Sequence, residues 1–424
     1  MVARRTLLGA LAASAGLAAW PGLALASGPS GRPLVILILR GAMDGVGVLV
    51  PHGDPAHAPA RRQLAMAVGE GEGEARKLDG LFALHPALPQ TLALWRSGEV
   101  LFAPAVATPY RDRSHFDGQN VLETGGSVPY ARKDGWLNRL LAALPPAGRP
   151  EAIAIAPAAP PLLRGALGVA SYAPSRLPGA NPELLARVGA LWEADTLLHP
   201  LWGEAMAARA LAAGMDPAAA PGGPATAPGA RMEAGNGMMA GVADRARPGY
   251  RGRGGPAGLP ALASIAARFL TAPGGPRVAV IEHDGWDTHA QQAPRLAAQL
   301  AQLDAGLAAL RSGLGPAWRD TLILIMTEFG RTVAVNGTGG TDHGTAGLAM
   351  LMGGAVAGGR ILGDWPGLAP SALHEGRDLR PTVDMAALLS GALAQHWAVE
   401  PGLVARAAWP DTQALRPVTG LLRA

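Results

Sequence analysis

The amino-acid sequence predicts an α/β fold: a mainly parallel central sheet with helices on both faces. Three observations carry that expectation. Unbroken apolar runs rich in β-branched residues recur along the chain, the pattern of strands buried on both faces. Longer stretches at helical spacing alternate with them, as in sheets built from crossover units. Carboxylates and histidines gather just past the ends of the apolar runs, where ligands bind in open α/β sheets.

The chain opens on a segment apart from this pattern. Arg4 and Arg5 stand before an apolar run from Leu7 to Ala19, and Ala24-Leu25-Ala26 offers the small residues a signal peptidase reads. A twin-arginine pair ahead of a modest apolar core resembles a Tat export signal over residues 1–26. The run is shorter than the roughly 20 residues of a membrane span, and no later stretch reads as transmembrane. The expectation is a periplasmic or extracellular protein whose residues 31–424 form one domain.

Pro33 to Leu39 is the first strand. It runs into Arg40-Gly41-Ala42-Met43-Asp44-Gly45, where glycines let Asp44 come close to a ligand. Pro86 to Trp95 reads as a helix with proline at its start. Val100 to Ala107 is the second strand, followed by a polar stretch and a helix through Leu122 that ends at Thr124-Gly125-Gly126. Ser114 heads this helix, where the N-terminus favours an anion or an alkoxide attacking one. A serine there serves equally as a helix cap.

Ala152 to Ala156 is a short strand, and Pro182 to Gly214 carries helical periodicity. Residues 216–258 are rich in Ala, Gly, Pro and Met and read as a surface insertion or lid. Leu259 to Leu270 is helical. Arg277 to Glu282 is a strand, followed by His283-Asp284-Gly285-Trp286-Asp287-Thr288-His289. Asp287 and His289, two residues apart, point to one side of an extended backbone. Ala293 to Leu310 is a core-facing helix. The strand Thr321 to Met326 leads to Glu328, Arg331 and Asn336, then a glycine-rich turn and Asp342-His343-Gly344. Ala349 to Met352 is a further strand and Pro381 to Trp397 the last helix.

Composition narrows the function. Hydrophobic residues make up 49% of the chain and charged ones 16%, which supports a sizeable core and excludes global disorder. The net charge is only +4, with just two lysines, Lys77 and Lys133, and no basic block interleaved with aromatics. Nucleic-acid binding has no support there. There is no cysteine, so disulfides, thiolate metal sites and cysteine nucleophiles are excluded. Carboxylates and imidazoles without thiolates suit Zn or Mn better than Ca or Mg.

The motifs LRGAMDG from Leu39, YRDRSHFDGQNVLETG from Tyr110, DGW from Asp134, GWDTHAQQ from Gly285 and TEFGRTVAVNGTGGTDHGTAG from Thr327 carry a resemblance. From about Pro33 to Leu362 the chain resembles a family of Tat-exported bacterial proteins catalogued only as a domain of unknown function. That family is similar in turn to the alkaline phosphatase and sulfatase superfamily. This second resemblance implies an aspartate after the first strand (Asp44), a nucleophile heading a helix that ends in Thr-Gly (Ser114), and Asp287 with His289 after a middle strand. It also implies an acidic residue after the late strand (Glu328) and a histidine beyond it (His343). Phe329 stands where the superfamily has a histidine, and Ser114 lacks the Pro and Arg of a sulfatase signature.

The expectation is an exported metal-dependent hydrolase of small phosphate or sulfate esters. Ser114 attacks; Asp44 and Glu328 hold one ion, and Asp287, His289 and His343 the other or only ion. Arg331 and Asn336 contact the substrate anion, and Asp342 orients His343. The alternative is a non-catalytic cell-envelope binding or assembly protein with a degenerate metal site.

Overall fold

A computed structural model describes residues 31–146, 151–174, 181–213, 258–412 and 415–423. The proposed signal segment and residues 216–257 of the expected insertion lie outside the described residues. The strands are β1 (Leu34–Leu39), β2 (Leu49–Val50), β3 (Arg76–Lys77), β4 (Ala83–Leu84), β5 (Val100–Ala107), β6 (Ala152–Ile155), β7 (Ala170–Ser171), β8 (Val278–His283), β9 (Leu322–Met326), β10 (Gly347–Met352), β11 (Arg360–Ile361) and β12 (Val383–Asp384). The main sheet has the order β11-β5-β10-β9-β1-β8-β6-β7, with β12 also pairing β5. Strand β10 runs antiparallel to β5 and β9, and the other pairings are parallel. Strands β2, β4 and β3 form a small separate antiparallel sheet.

The unbroken apolar runs are explained by the two faces of the sheet. Along β1, Leu34, Ile36 and Ile38 pack into a core layer that holds Trp136, Leu388 and Trp397. Val35, Leu37 and Leu39 pack into the opposite layer, with Phe269, Leu300 and Leu307. Each such burial stabilises the fold by about 1.5–3 kcal/mol before the entropy of ordering is subtracted.

Several spans differ from expectation for local reasons. The helix expected over Pro182 to Gly214 is two, Pro182–Trp192 and Leu198–Ala213, because the Asp195 carboxylate accepts from the Leu197 and Leu198 amides at 2.8 Å each and starts a new helix. The helix expected from Pro381 begins at Met385, where Asp384 caps it by accepting from the Ala387 amide at 2.8 Å. The helix expected from Pro86 begins at Pro89. The helices Trp136–Ala143 and Pro401–Ala408 were not anticipated; in the first, Trp136, Leu137, Leu140 and Leu141 are buried.

This topology brings the polar loops to one edge. Parallel β1, β8 and β9, and β5 in the same direction, all end there. The reversed strand β10 begins there, so the segment before Gly347 arrives at the same edge. The loops touch closely. Gly41 has φ +116°, and a Cβ there would lie 2.6 Å from the Asp287 amide nitrogen, so only glycine lets the loops after β1 and β8 meet.

Candidate metal centre

Four side chains converge at that edge. His115 is the first residue of the helix His115–Thr124, which ends at Gly125 with φ +69°. Asp287 and His289 follow β8, and His343 precedes β10. The Nε2 atoms of His289 and His343 are 3.0 Å apart. Asp287 Oδ1 lies 3.1 Å from the first and 3.3 Å from the second. His115 Nε2 lies 3.4 Å from Asp287 Oδ2. The ligand atoms of His115, Asp287 and His343 all lie within 4.8 Å of one another.

Each imidazole is fixed from behind through Nδ1. His115 Nδ1 meets Glu328 Oε1 at 2.7 Å, His289 Nδ1 meets Asp342 Oδ1 at 3.0 Å, and His343 Nδ1 meets the Arg113 carbonyl at 2.8 Å. A carbonyl or a carboxylate only accepts, so these contacts place a proton on Nδ1 and turn each Nε2 towards the shared centre. An acceptor behind each histidine is the arrangement that orients metal-ligating imidazoles. The residues present therefore fit a divalent ion such as Zn or Mn.

The electrostatics agree. Burial disfavours charge on His115, but hydrogen bonds and charges from Asp287 and Glu328 outweigh it and raise its pKa to about 9. Burial pushes the Asp287 carboxyl up, yet His115, His343 and Arg331 hold it far below the usual carboxylate range. Glu328 is likewise lowered against its burial, mainly by His115. Two carboxylates thus stay ionised, Asp287 beside all three imidazoles and Glu328 behind His115, and a cation can take the place of the proton they hold on His115.

The other anticipated residues take distinct places. Asp44 is buried and pairs with Arg61, itself buried, while also accepting from Gln292 Nε2. Glu328 Oε1 accepts from the Gly41 amide (2.9 Å) and Gln119 Nε2 (3.1 Å) as well as His115, and Oε2 from the Thr327 hydroxyl (2.9 Å). Asp44 and Glu328 thus have separate sets of partners. Arg331 is buried, donates to Asp287 Oδ1 at 2.6 Å, and reaches the Thr341 hydroxyl and carbonyl. Asn336 Nδ2 donates to the His289 carbonyl (2.9 Å) and Asp342 Oδ1 (3.0 Å). Asp342 orients His289, and the Arg113 carbonyl is what orients His343. Phe329 is buried and stacks on His115, with ring centroids 5.1 Å apart.

Ser114 precedes the helix without capping it by its side chain. Its amide donates to the Tyr110 hydroxyl at 3.1 Å, its own hydroxyl lies against that group, and Tyr110 donates to Asp117 Oδ2 at 3.3 Å. His115 was missed by sequence reasoning: a histidine in a first helical turn has no ligand spacing of its own. Its signal was the cluster Ser114-His115 after a strand, the same signal that picked out its neighbour.

Solved structures similar to this chain are distant. They include the C-terminal periplasmic domain of EcEptC from Escherichia coli in complex with Zn, at 9% identity and TM-score 0.32, covering 76% of this chain and 73% of that one. The phosphonate monoester hydrolase of Agrobacterium radiobacter matches at 13% identity and TM-score 0.33, covering 78% and 70%. A TAB5 alkaline phosphatase variant with Mg bound matches at 12% identity and TM-score 0.32, covering 78% and 93%. Likenesses this distant assign no function. No curated protein matches the chain. Residues 99–406 match the model of the family described as "Protein of unknown function (DUF1501)", and the chain belongs to that family.

Proposed function

We propose that this protein is an exported metal-dependent hydrolase of phosphate or sulfate esters. The observation that carries the reading is the grouping of His115, Asp287 and His343, with His289 Nε2 against both Asp287 and His343, and each ring backed by its own acceptor through Nδ1. His115, Asp287, His289 and His343 would hold one divalent ion. Bound there, the ion supplies a Lewis acid beside the ester oxygens. The pairing of Asp44 with Arg61, and the Phe329 ring beside His115, favour one ion over two.

Ser114 is the nucleophile of this reading. Its oxygen bonds to phosphorus or sulfur as the bond to the alcohol breaks, and its proton passes by the Tyr110 hydroxyl to Asp117. The departing alkoxide takes a proton from water, and a second water then attacks the seryl ester, releasing phosphate or sulfate while Asp117 returns the proton to Ser114. Arg331 and Asn336 act as positioning residues, the first on Asp287 and the second on His289 and Asp342. Export by the twin-arginine route rests on Arg4-Arg5 ahead of the apolar run. The test is the metal content of mature protein purified without chelator, followed by a screen of phosphate and sulfate esters. Near-stoichiometric Zn or Mn lost in His289→Ala, together with ester turnover, is expected. A stable protein that takes up no metal on titration would overturn the proposal.

A non-catalytic envelope protein is the second reading, favoured by the neutralisation of Asp44 by Arg61, which removes one acidic group from any ligand set. Full metal loading with no turnover of any ester would select it.

A further inference from the structure

The helix His115–Thr124 has a second polar face. His115 points into the metal centre, and Gln119 reaches it through Glu328. Beside it Phe116 and Asn120 line a groove of about 770 Å³, which Gln119 also borders, together with Tyr130, Lys133 and Arg164. A volume of this size holds a ligand well beyond a phosphate group.

Two features of the groove point to a ligand. Phe116 is 70% exposed and Tyr130 61%, an unusual amount of aromatic surface beside a candidate site. Tyr130 is also held in place. Its φ is +60°, in the left-handed region, and its amide donates to Asn120 Oδ1 at 2.7 Å. A bulky residue kept in that conformation with its ring in solvent is organised for something the protein alone does not contain. Its hydroxyl comes near Asp117, the carboxylate that accepts from Tyr110, and Phe116 sets the groove two residues along the chain from Ser114.

Lys133 and Arg164 supply the second feature. Both are exposed, and neither pairs with a carboxylate among the described residues. The other lining cations differ: Arg40 is tied to Glu123 and Glu282, and Arg132 to Asp411. Two free cations and two exposed rings flank one groove.

We infer that this groove binds the alcohol part of the ester, and that this part carries a ring and a further anionic group. The inference rests on the ester-hydrolase reading for which portion of the substrate lies here. The rings stack on Phe116 and Tyr130, and the anion meets Lys133 and Arg164. Sulfated sugars and nucleotides both offer this chemistry.

The experiment uses the full-length mature protein purified without chelator and offered Zn or Mn, and calorimetry at fixed ionic strength. A disulfated disaccharide and a nucleoside bisphosphate are the probes, with a neutral disaccharide as control. Metal content and inorganic phosphate binding are measured on the same preparations. At least one anionic probe binds the unaltered protein, and Tyr130→Ala and the double variant Lys133→Ala/Arg164→Ala each weaken it by roughly 10-fold or more. Tyr130→Phe keeps most of the affinity because it keeps the ring. The probe that binds identifies the source of the chemistry. Equal affinity in the variants, or no binding of either probe, overturns the groove assignment, and retained metal shows that the centre is a separate matter. Loss of probe binding in the variants of a protein that holds no metal supports the groove and counts against the hydrolase reading instead.

Discussion

His289 and His343 meet through their Nε2 atoms at 3.0 Å, while both Nδ1 atoms are already committed, to Asp342 and to the Arg113 carbonyl. Two imidazole lone pairs do not face each other at that distance unless a proton or a cation lies between them. Asp287 Oδ1 completes a small triangle with them. We expect one ion per chain, absent from His289→Ala. Asp342→Asn leaves a ligand with a poorly oriented ring, so affinity falls by about 10–100-fold without loss of stoichiometry at high metal. Elemental mass spectrometry and competition with a chelator measure both, and undiminished affinity in Asp342→Asn would remove that carboxylate from the centre.

Asp44 allows a sharp contrast. It and Arg61 are both buried and paired with each other. Removing one partner strands a buried charge, which costs about 3–5 kcal/mol. Asp44→Ala is therefore expected to lower the unfolding free energy by that amount in denaturant titrations and to leave the metal in place. Loss of metal with unchanged stability would make Asp44 a ligand after all.

The contrast also marks what sequence patterns reveal. Apolar runs two-sided enough to be central strands were legible as such, and the polar residues just past them had to lie at one edge. Asp287 and His289 were legible because spacing alone puts them on one side of extended backbone. The partner of Asp44 was not, since Arg61 sits in a short helix, His57–Arg61, reached by a loop with no periodic signal. The acceptor behind each histidine was equally hidden. Asp342 is adjacent to His343 in the chain but turns to His289, because the Arg331–His343 bridge and the turn at Asn336 fold the segment back on itself. Such choices are made by packing between distant loops, which Gly41 permits by having no side chain against Asp287.

Metal uptake should depend on pH with a defined sign. In the metal-free centre His115 is raised to about 9, against its burial, by Asp287 and Glu328. Below that pH an incoming ion must displace its proton, so affinity rises with pH by up to about tenfold per unit until roughly 9. Removing the ion reverses the linkage. The raised pKa stabilises the metal-free fold below about 6.5 and that contribution is lost as pH rises through about 9. Calorimetric metal titrations in buffers of different protonation enthalpy count the released proton. A His115→Ala variant with the same pH slope as the unaltered protein would locate the titrating group elsewhere.

Ser114 separates a nucleophile from a cap by two readouts. A serine whose side chain caps a helix contributes about 1 kcal/mol, and alanine there loses it. Ser114 makes no such cap, and its hydroxyl faces Tyr110 instead. Ser114→Ala is therefore expected to leave stability within about 0.5 kcal/mol, as for a replacement away from special features, and to retain the metal. Under the proposed mechanism it loses ester turnover by at least about 10³-fold, the scale on which losing a covalent nucleophile is felt. Tyr110→Phe removes the route for the serine proton and should slow turnover while sparing substrate affinity, a drop in kcat at constant KM. If Ser114→Ala turns over at the unaltered rate, water bound near His115 and Asp287 attacks directly, and the serine leaves the mechanism while the metal centre stays in it. If it instead loses stability with its activity, the residue belongs to the architecture of the helix.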